Sequence, residues 1–140
     1  MAHVVTALFA IQAIAGLVLL VRWWRVGRPT AAPVFSHVAV GVISLGLWIT
    51  FTVTDAVVWG WLALVGLTIG NTIGDALLLV PRWRRHTGQR QSFFRDYGAA
   101  IAGVFRGKLP ALVAFHAVFA GAVYFSCLGV CIGATIAAAA

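Results

Sequence analysis

The sequence predicts an all-α membrane protein, a four-transmembrane-helix bundle with a short amphipathic interfacial helix in the loop between helices 3 and 4. Three observations carry this. The 140 residues are 62% hydrophobic and only 9% charged, with a mean hydropathy of +1.01, whereas a soluble domain carries about 25% charged residues. Four apolar stretches, about 3–21, 34–54, 56–80 and 109–136, each reach the roughly 20 residues that cross a bilayer core as a helix. All ten basic residues fall in two connecting segments. The chain reads as a single integral membrane domain, residues 1–140, with almost no soluble part.

Span 1, about His3 to Val21, is mostly Ala, Val, Leu and Ile. Its polar residues are Thr6 and Gln12, with Gly16 one turn after Gln12. Arg22 and Arg25 follow the apolar run where a cleavage site would need small residues, and no basic n-region precedes it, so it does not read as a signal peptide. Trp23 and Trp24 beside arginines read as an interfacial anchor. Pro29 and Pro33 are expected to stop one helix and start the next.

Span 2, about Val34 to Thr54, carries His37, Gly41, Ser44, Trp48 and Asp55 at helical spacing, a small and polar stripe expected to face protein. Span 3, about Ala56 to Val80, opens on Trp59 and Trp61. Gly66, Gly70 and Gly74 then repeat every four residues, a seam that admits another backbone or a flat ligand. Asn71 and Asp75 lie beside it.

The second connecting segment, Pro81 to Lys108, holds Arg82, Arg84, Arg85, Arg90, Arg95, Arg106 and Lys108 against one acid, Asp96. Within it Phe93, Phe94, Tyr97, Ile101, Val104 and Phe105 share one side of a helix over 92–105, which reads as lying on the membrane surface. Gly98 and Gly103 work against that helix. Span 4 has no Asp, Glu, Lys or Arg from Leu109 to Ile136 and carries His116.

The formal charge of +7 reports topology and lipid headgroups rather than nucleic acid, because every cation sits in a connecting segment. Both basic segments are expected in the cytoplasm of a plasma-membrane protein, with both termini and the Asp55 turn outside. Val21-Arg-Trp-Trp-Arg and Pro81-Arg-Trp-Arg-Arg echo one another. Each precedes a span carrying a histidine, as in two parallel repeats about an axis along the membrane normal.

At 1.5 Å per residue His37 and His116 lie roughly 5 and 10 Å inside their helix starts, and Asp75 roughly 7 Å before its helix end. Three titratable side chains therefore share one layer, and intramembrane ionisable residues are functional candidates. One chemistry is a b-type haem with His37 and His116 as axial ligands. Gly41, Gly66, Gly70 and Gly74 would make room for the ring, and Arg82 and Arg85 would pair with the propionates. Another is a metal site of His37, His116 and Asp75, which suits iron, zinc or manganese. A third is purely structural: interhelical hydrogen bonds, an Asn71–Asp75 pair, or Asp75 reaching Arg82 or Arg85. Cys127 and Cys131, four apart, read as small buried hydrophobes, because a bridge within one helical turn strains disulfide geometry.

The stretches FSHVAVGVISLGLWITF, PRWRR and LPALVAFHAVFAGAV resemble a group of small four-span membrane proteins common in actinobacteria. The resemblance covers spans 2 to 4, rests on His37, Trp48, the Arg-Trp-Arg segment and His116, and implies a four-helix fold with little about activity. The helix-embedded histidines also resemble, more loosely, those of membrane b-type cytochromes. His3 and His86 lie at the edges, which leaves ligands for one haem. Three functional expectations follow. The first is a single-haem b electron-transfer subunit. The second is a non-catalytic accessory subunit of a larger membrane complex, or a homo-oligomer, docking through the glycine seam and the amphipathic segment. The third is a small proton- or metal-coupled transporter component using Asp75 and the histidines. None makes the chain an enzyme on its own.

Overall fold

The computed structural model describes residues 1–26 and 31–140. Four helices are long and apolar enough to span a membrane, and a short helix sits between the third and fourth. Helix α1 is Ala2–Arg25 and α2 is Ala31–Thr54. The third span runs over Val57–Thr87 as α3 (Val57–Ile73), a π-helical segment (Gly74–Leu79) and α4 (Val80–Thr87). The short helix α5 is Phe93–Phe105, and the last span α6 is Ala111–Ala139. The protein is a multi-pass, four-helix-bundle membrane protein.

Local chemistry explains the boundaries. Pro33 sits in the first turn of α2, where a missing N–H costs nothing. Pro29, the expected stop before it, lies outside the described residues. Asp55 turns the chain from α2 to α3 with φ of 54°, a left-handed conformation that Asp tolerates better than most residues. Pro110 is the residue before α6. Gly88, at φ 68°, ends α4, and its N–H is bonded to the Arg84 carbonyl.

The expected loop start at Pro81 is corrected: the helix continues through Pro81 to Thr87. A proline ring inside a helix collides with the carbonyl four residues earlier. Here the preceding turn is widened, and the Val80 N–H donates to the Asp75 carbonyl five residues back. That π-helical turn shifts the register of the carbonyls and lets the helix pass the proline.

Around the bundle the order is α1, α2, α3, α6: α1 packs on α2 and α6, and α3 packs on the same two. Among the described residues the backbones of α2 and α6, and those of α1 and α3, do not come close, so these are the diagonals. The half near the Asp55 turn is closed by Val5, Phe9, Trp48, Phe51, Ala63, Leu64, Val123, Cys127 and Cys131. Trp48 also donates through Nε1 to Thr6 Oγ1 at 3.2 Å, which satisfies the one polar atom that its burial would strand. The cysteines are free and buried.

The glycine seam is filled from within the chain. Gly66 meets Ser44, Gly70 meets Val40, and Gly74 meets His37, so α2 covers the face offered as a docking surface. The stripe on α2 is thus His37, Val40, Ser44, Trp48 and Phe51. Gly41 is a correction: it is exposed and a Cβ there would meet nothing within 4 Å.

Helix α5 packs against the protein. Ala100 and Val104 join Leu79 and Leu109 in a second small core, with Trp83 and Val113 against it. Asp96 is buried as well, and the Nε–H of Arg84 donates to its Oδ2 at 2.6 Å. Phe94 and Phe105 remain on the open side, 83% and 73% exposed. The apolar face expected over 92–105 therefore splits, with Val104 turned inward and the phenylalanines outward. Gly103 is what permits the docking, because the Trp83 ring occupies the space a Cβ would need.

Candidate functional site

The opposite half of the bundle, at the arginine-bearing end, is open. A cavity of about 640 Å³ lies between the ends of all four spans, within the 300–1,000 Å³ range of ligand sites. His37 and His116 line it, with Asp75, Tyr97, and Arg22, Arg82 and Arg85. Counting from helix starts placed the two histidines in one layer, and the structure puts their ring centroids 6.1 Å apart at 70°. They come from diagonal helices and meet across the bundle rather than at a helix–helix seam.

Each ring is seated on a neighbouring span by two positions four residues apart. His37 Nδ1 lies 2.9 Å from the Gly70 carbonyl oxygen. A carbonyl only accepts, so Nδ1 carries the proton and Nε2 keeps its lone pair. Gly74 supports the same ring, since a Cβ there would come to 3.1 Å from His37 Cε1. On the other side Gln12 Nε2 donates to the His116 carbonyl at 3.0 Å and stands 3.5 Å from His116 Nε2. A Cβ on Gly16 would come to 3.1 Å from His116 Cε1. Thus a glycine lies against each ring, Gly74 for His37 and Gly16 for His116, while Gly70 bonds the His37 ring and Gln12 the His116 backbone.

Two polar atoms here are buried without a partner among the described residues, His116 Nδ1 and Gln12 Oε1. An unsatisfied buried polar group costs about 1–3 kcal/mol. The cavity wall therefore holds an imidazole nitrogen free to bond.

Asp75 is engaged from α5: the Tyr97 hydroxyl donates to its Oδ2 at 3.0 Å. Tyr97 also stacks on Phe93, with ring centroids 6.1 Å apart. Burial raises the Tyr97 hydroxyl above its usual pKa, and the Asp75 carboxylate adds to the effect. Neither Asn71 nor an arginine takes Asp75, for the ion pair among the described residues is Arg84–Asp96. No group of three His, Cys, Asp or Glu among the described residues is placed to hold a metal ion. His37, His116 and Asp75, expected to share one ion, are placed differently here: the two imidazoles meet edge to face while the carboxylate is bonded to Tyr97.

Gln12, Gly16, Arg22 and Tyr97 are site residues that the sequence reading did not assign. Gln12 and Gly16 gave a signal, a polar residue and a glycine one turn apart in an otherwise aliphatic span. Tyr97 gave none, because its partner lies 22 residues away on another element.

No family model, curated protein or solved structure matches the chain. The likeness to small four-span membrane proteins rests on its sequence stretches alone.

Proposed function

We propose that the protein is a single-haem, b-type electron-transfer subunit, with His37 and His116 as axial ligands. The observation that supports this reading is the imidazole pair in one cavity, edge to face with ring centroids 6.1 Å apart; the two side chains would hold the iron of a haem placed there. The His37 tautomer favours the same reading, since Nδ1 is held by Gly70 and Nε2 keeps the lone pair a metal needs. The guanidiniums of Arg22, Arg82 and Arg85 around the cavity suit two carboxylates. Gly74 and Gly16 admit the rings, and Leu19, Leu20, Leu78 and Val113 give the cavity an aliphatic wall suited to the apolar faces of a porphyrin.

A haem held there would supply a one-electron couple near the membrane face. We place the arginine-bearing end in the cytoplasm and both termini outside, because all basic residues lie at that end of a plasma-membrane protein. Electrons would then pass between a cytoplasmic-side partner and a second redox centre.

The test is an absorption spectrum of the detergent-purified protein, oxidised and then dithionite-reduced, from cells supplied with haem. A Soret band with sharp reduced α and β bands, lost in His37→Ala and His116→Ala, is the expected result. A flat spectrum, or a chromophore that survives both substitutions, overturns the reading. The accessory-subunit reading then stands in front, and native pull-down of a complex is its measurement. The carrier reading requires instead that Asp75→Asn abolish pH-dependent transport in proteoliposomes.

A further inference from the structure

We propose that a second cavity, between α4 and α5, binds a phosphate group, of the kind carried by an anionic phospholipid headgroup or by free phosphate. The cavity is about 480 Å³ and lined by Trp83, His86, Thr87, Gln89, Arg106 and Lys108, among others. No carboxylate lines it. This site is separate from the histidine cavity and does not depend on any cofactor there.

The charge arrangement points to an anion. The connecting segment contains a single acid, Asp96, which is buried and bonded to Arg84 and to the Gln91 N–H. That ion pair leaves Arg106 and Lys108 without a carboxylate among the described residues. Two cations, a histidine and the side chains of Thr87 and Gln89 thus share one concave surface. Such an assembly supplies N–H donors and positive charge together, the combination that recognises phosphate oxygens.

The cavity is built into the fold rather than left by loosely held side chains. Its floor is Trp83, which fills the space over Gly103 so closely that no Cβ fits there. The Trp83 and His86 rings lie 6.0 Å apart, so the histidine flanks the same floor. Helix α5 forms the other wall, held by Ala100 and Val104 in the second core.

Position favours a lipid as the source. The cavity lies at the end of the 31-residue span, at the level of the bilayer surface. Phe94 and Phe105 stand exposed on α5, the element that walls the cavity, and offer apolar surface to acyl chains. Basic pockets beside membrane helices are a known way of holding anionic headgroups.

The experiment is a binding titration of the full chain in neutral detergent with short-chain phosphatidylglycerol, phosphatidylcholine and inorganic phosphate. Wild type is compared with R106Q/K108Q and with R90Q/R95Q, which removes the same charge from exposed positions outside the cavity. Phosphatidylglycerol is expected to bind wild type and R90Q/R95Q alike, and R106Q/K108Q about thirtyfold more weakly. Inorganic phosphate that competes at the same site, with the same dependence on Arg106 and Lys108, also supports the site and assigns it to the free anion. Equal weakening by the two double variants means diffuse attraction to a basic surface and overturns the proposal. Equal binding of phosphatidylcholine overturns it too, since no net negative charge is then being recognised.

Discussion

Adding one methyl group at Gly66 tests how α2 and α3 are held together. A Cβ at Gly66 would run into the Ser44 hydroxyl and come to 3.3 Å from the Ser44 Cβ. Ser44 is fully buried, and its hydroxyl donates to the Val40 carbonyl at 2.7 Å, so it has no open space to retreat into. Overpacking a filled position costs about 1–3 kcal/mol. Against this, Gly→Ala inside a helix gains up to about 1 kcal/mol. Gly41→Ala measures that gain alone, because its Cβ meets nothing within 4 Å. Gly66→Ala should therefore be less stable than Gly41→Ala by about 1–3 kcal/mol, or about 5- to 160-fold in the folding equilibrium. Ser44→Ala removes the colliding oxygen, so the double variant should recover most of the loss and give a clear coupling energy. The assay is reversible unfolding in mixed detergent and dodecyl sulfate micelles, followed by circular dichroism. If Gly66→Ala and Gly41→Ala behave alike, or if Ser44→Ala gives no recovery, the seam does not face α2 and the helix order around the bundle is wrong.

Three further outcomes follow from the site. Gly16→Ala and Gly74→Ala each bring a methyl to 3.1 Å from an imidazole carbon. In haem-loaded protein each should shift the reduced α band or the potential, whereas Gly41→Ala should leave both unchanged. Tyr97→Phe removes the bond to Asp75 and should raise protease cleavage in the segment around α5, at a cost of about 1 kcal/mol. Because the Tyr97 pKa is raised from 10.0, this contribution is complete below about pH 10 and is lost as pH rises through the higher folded value. Wild type should match Tyr97→Phe in cleavage only under strongly alkaline conditions, and a difference that vanishes near neutrality contradicts the assignment. Arg84→Gln leaves the buried Asp96 carboxylate without its ion-pair partner and should cost about 3 kcal/mol in the same unfolding assay. A loss under about 0.5 kcal/mol would place Asp96 in water.

How far the sequence could be read differs from element to element. The spans were legible because bilayer thickness sets their length and only one acid, Asp75, falls inside them. The shared depth of His37 and His116 was legible too, since rise per residue converts sequence position into height. Their azimuth was not. The stripe through Gly41 followed helical spacing closely, yet Val40 is the residue that meets Gly70, because a stripe a few residues wide does not say which edge the partner helix takes. Pro81 was read as the start of the connecting segment. The π-helical turn that carries the helix past it is a backbone adjustment with no side-chain signature. Asp96, the one acid of a basic segment, is buried while Arg95 beside it is exposed, because an arginine twelve residues earlier is there to pair with it.

The strongest case for a site rather than a packing accident comes from where the bundle fails to close. Its Asp55 end is filled by Trp48, Phe9, Phe51 and other apolar side chains. The arginine end, built from the same four helices, keeps a cavity of about 640 Å³. Leucines in place of the two histidines would occupy about the same volume and remove an orphaned ring nitrogen. Instead each imidazole rests against a glycine of a neighbouring span, His37 on Gly74 and His116 on Gly16, with Gly70 bonded to the His37 ring and Gln12 to the His116 carbonyl. A lone structural histidine needs one hydrogen bond across to a neighbour. It does not need a matching glycine beneath it or a counterpart held in the same way from the diagonal helix. His37→Leu and His116→Leu separate the two cases. If the histidines serve only the bundle, leucine should lower stability by the lost hydrogen bond, about 1 kcal/mol. If they serve a ligand, leucine should stabilise the empty protein by replacing a buried, incompletely bonded imidazole with an apolar side chain, by about 1–2 kcal/mol, while ligand binding disappears. Opposite signs in the unfolding assay make the decision independent of knowing the ligand.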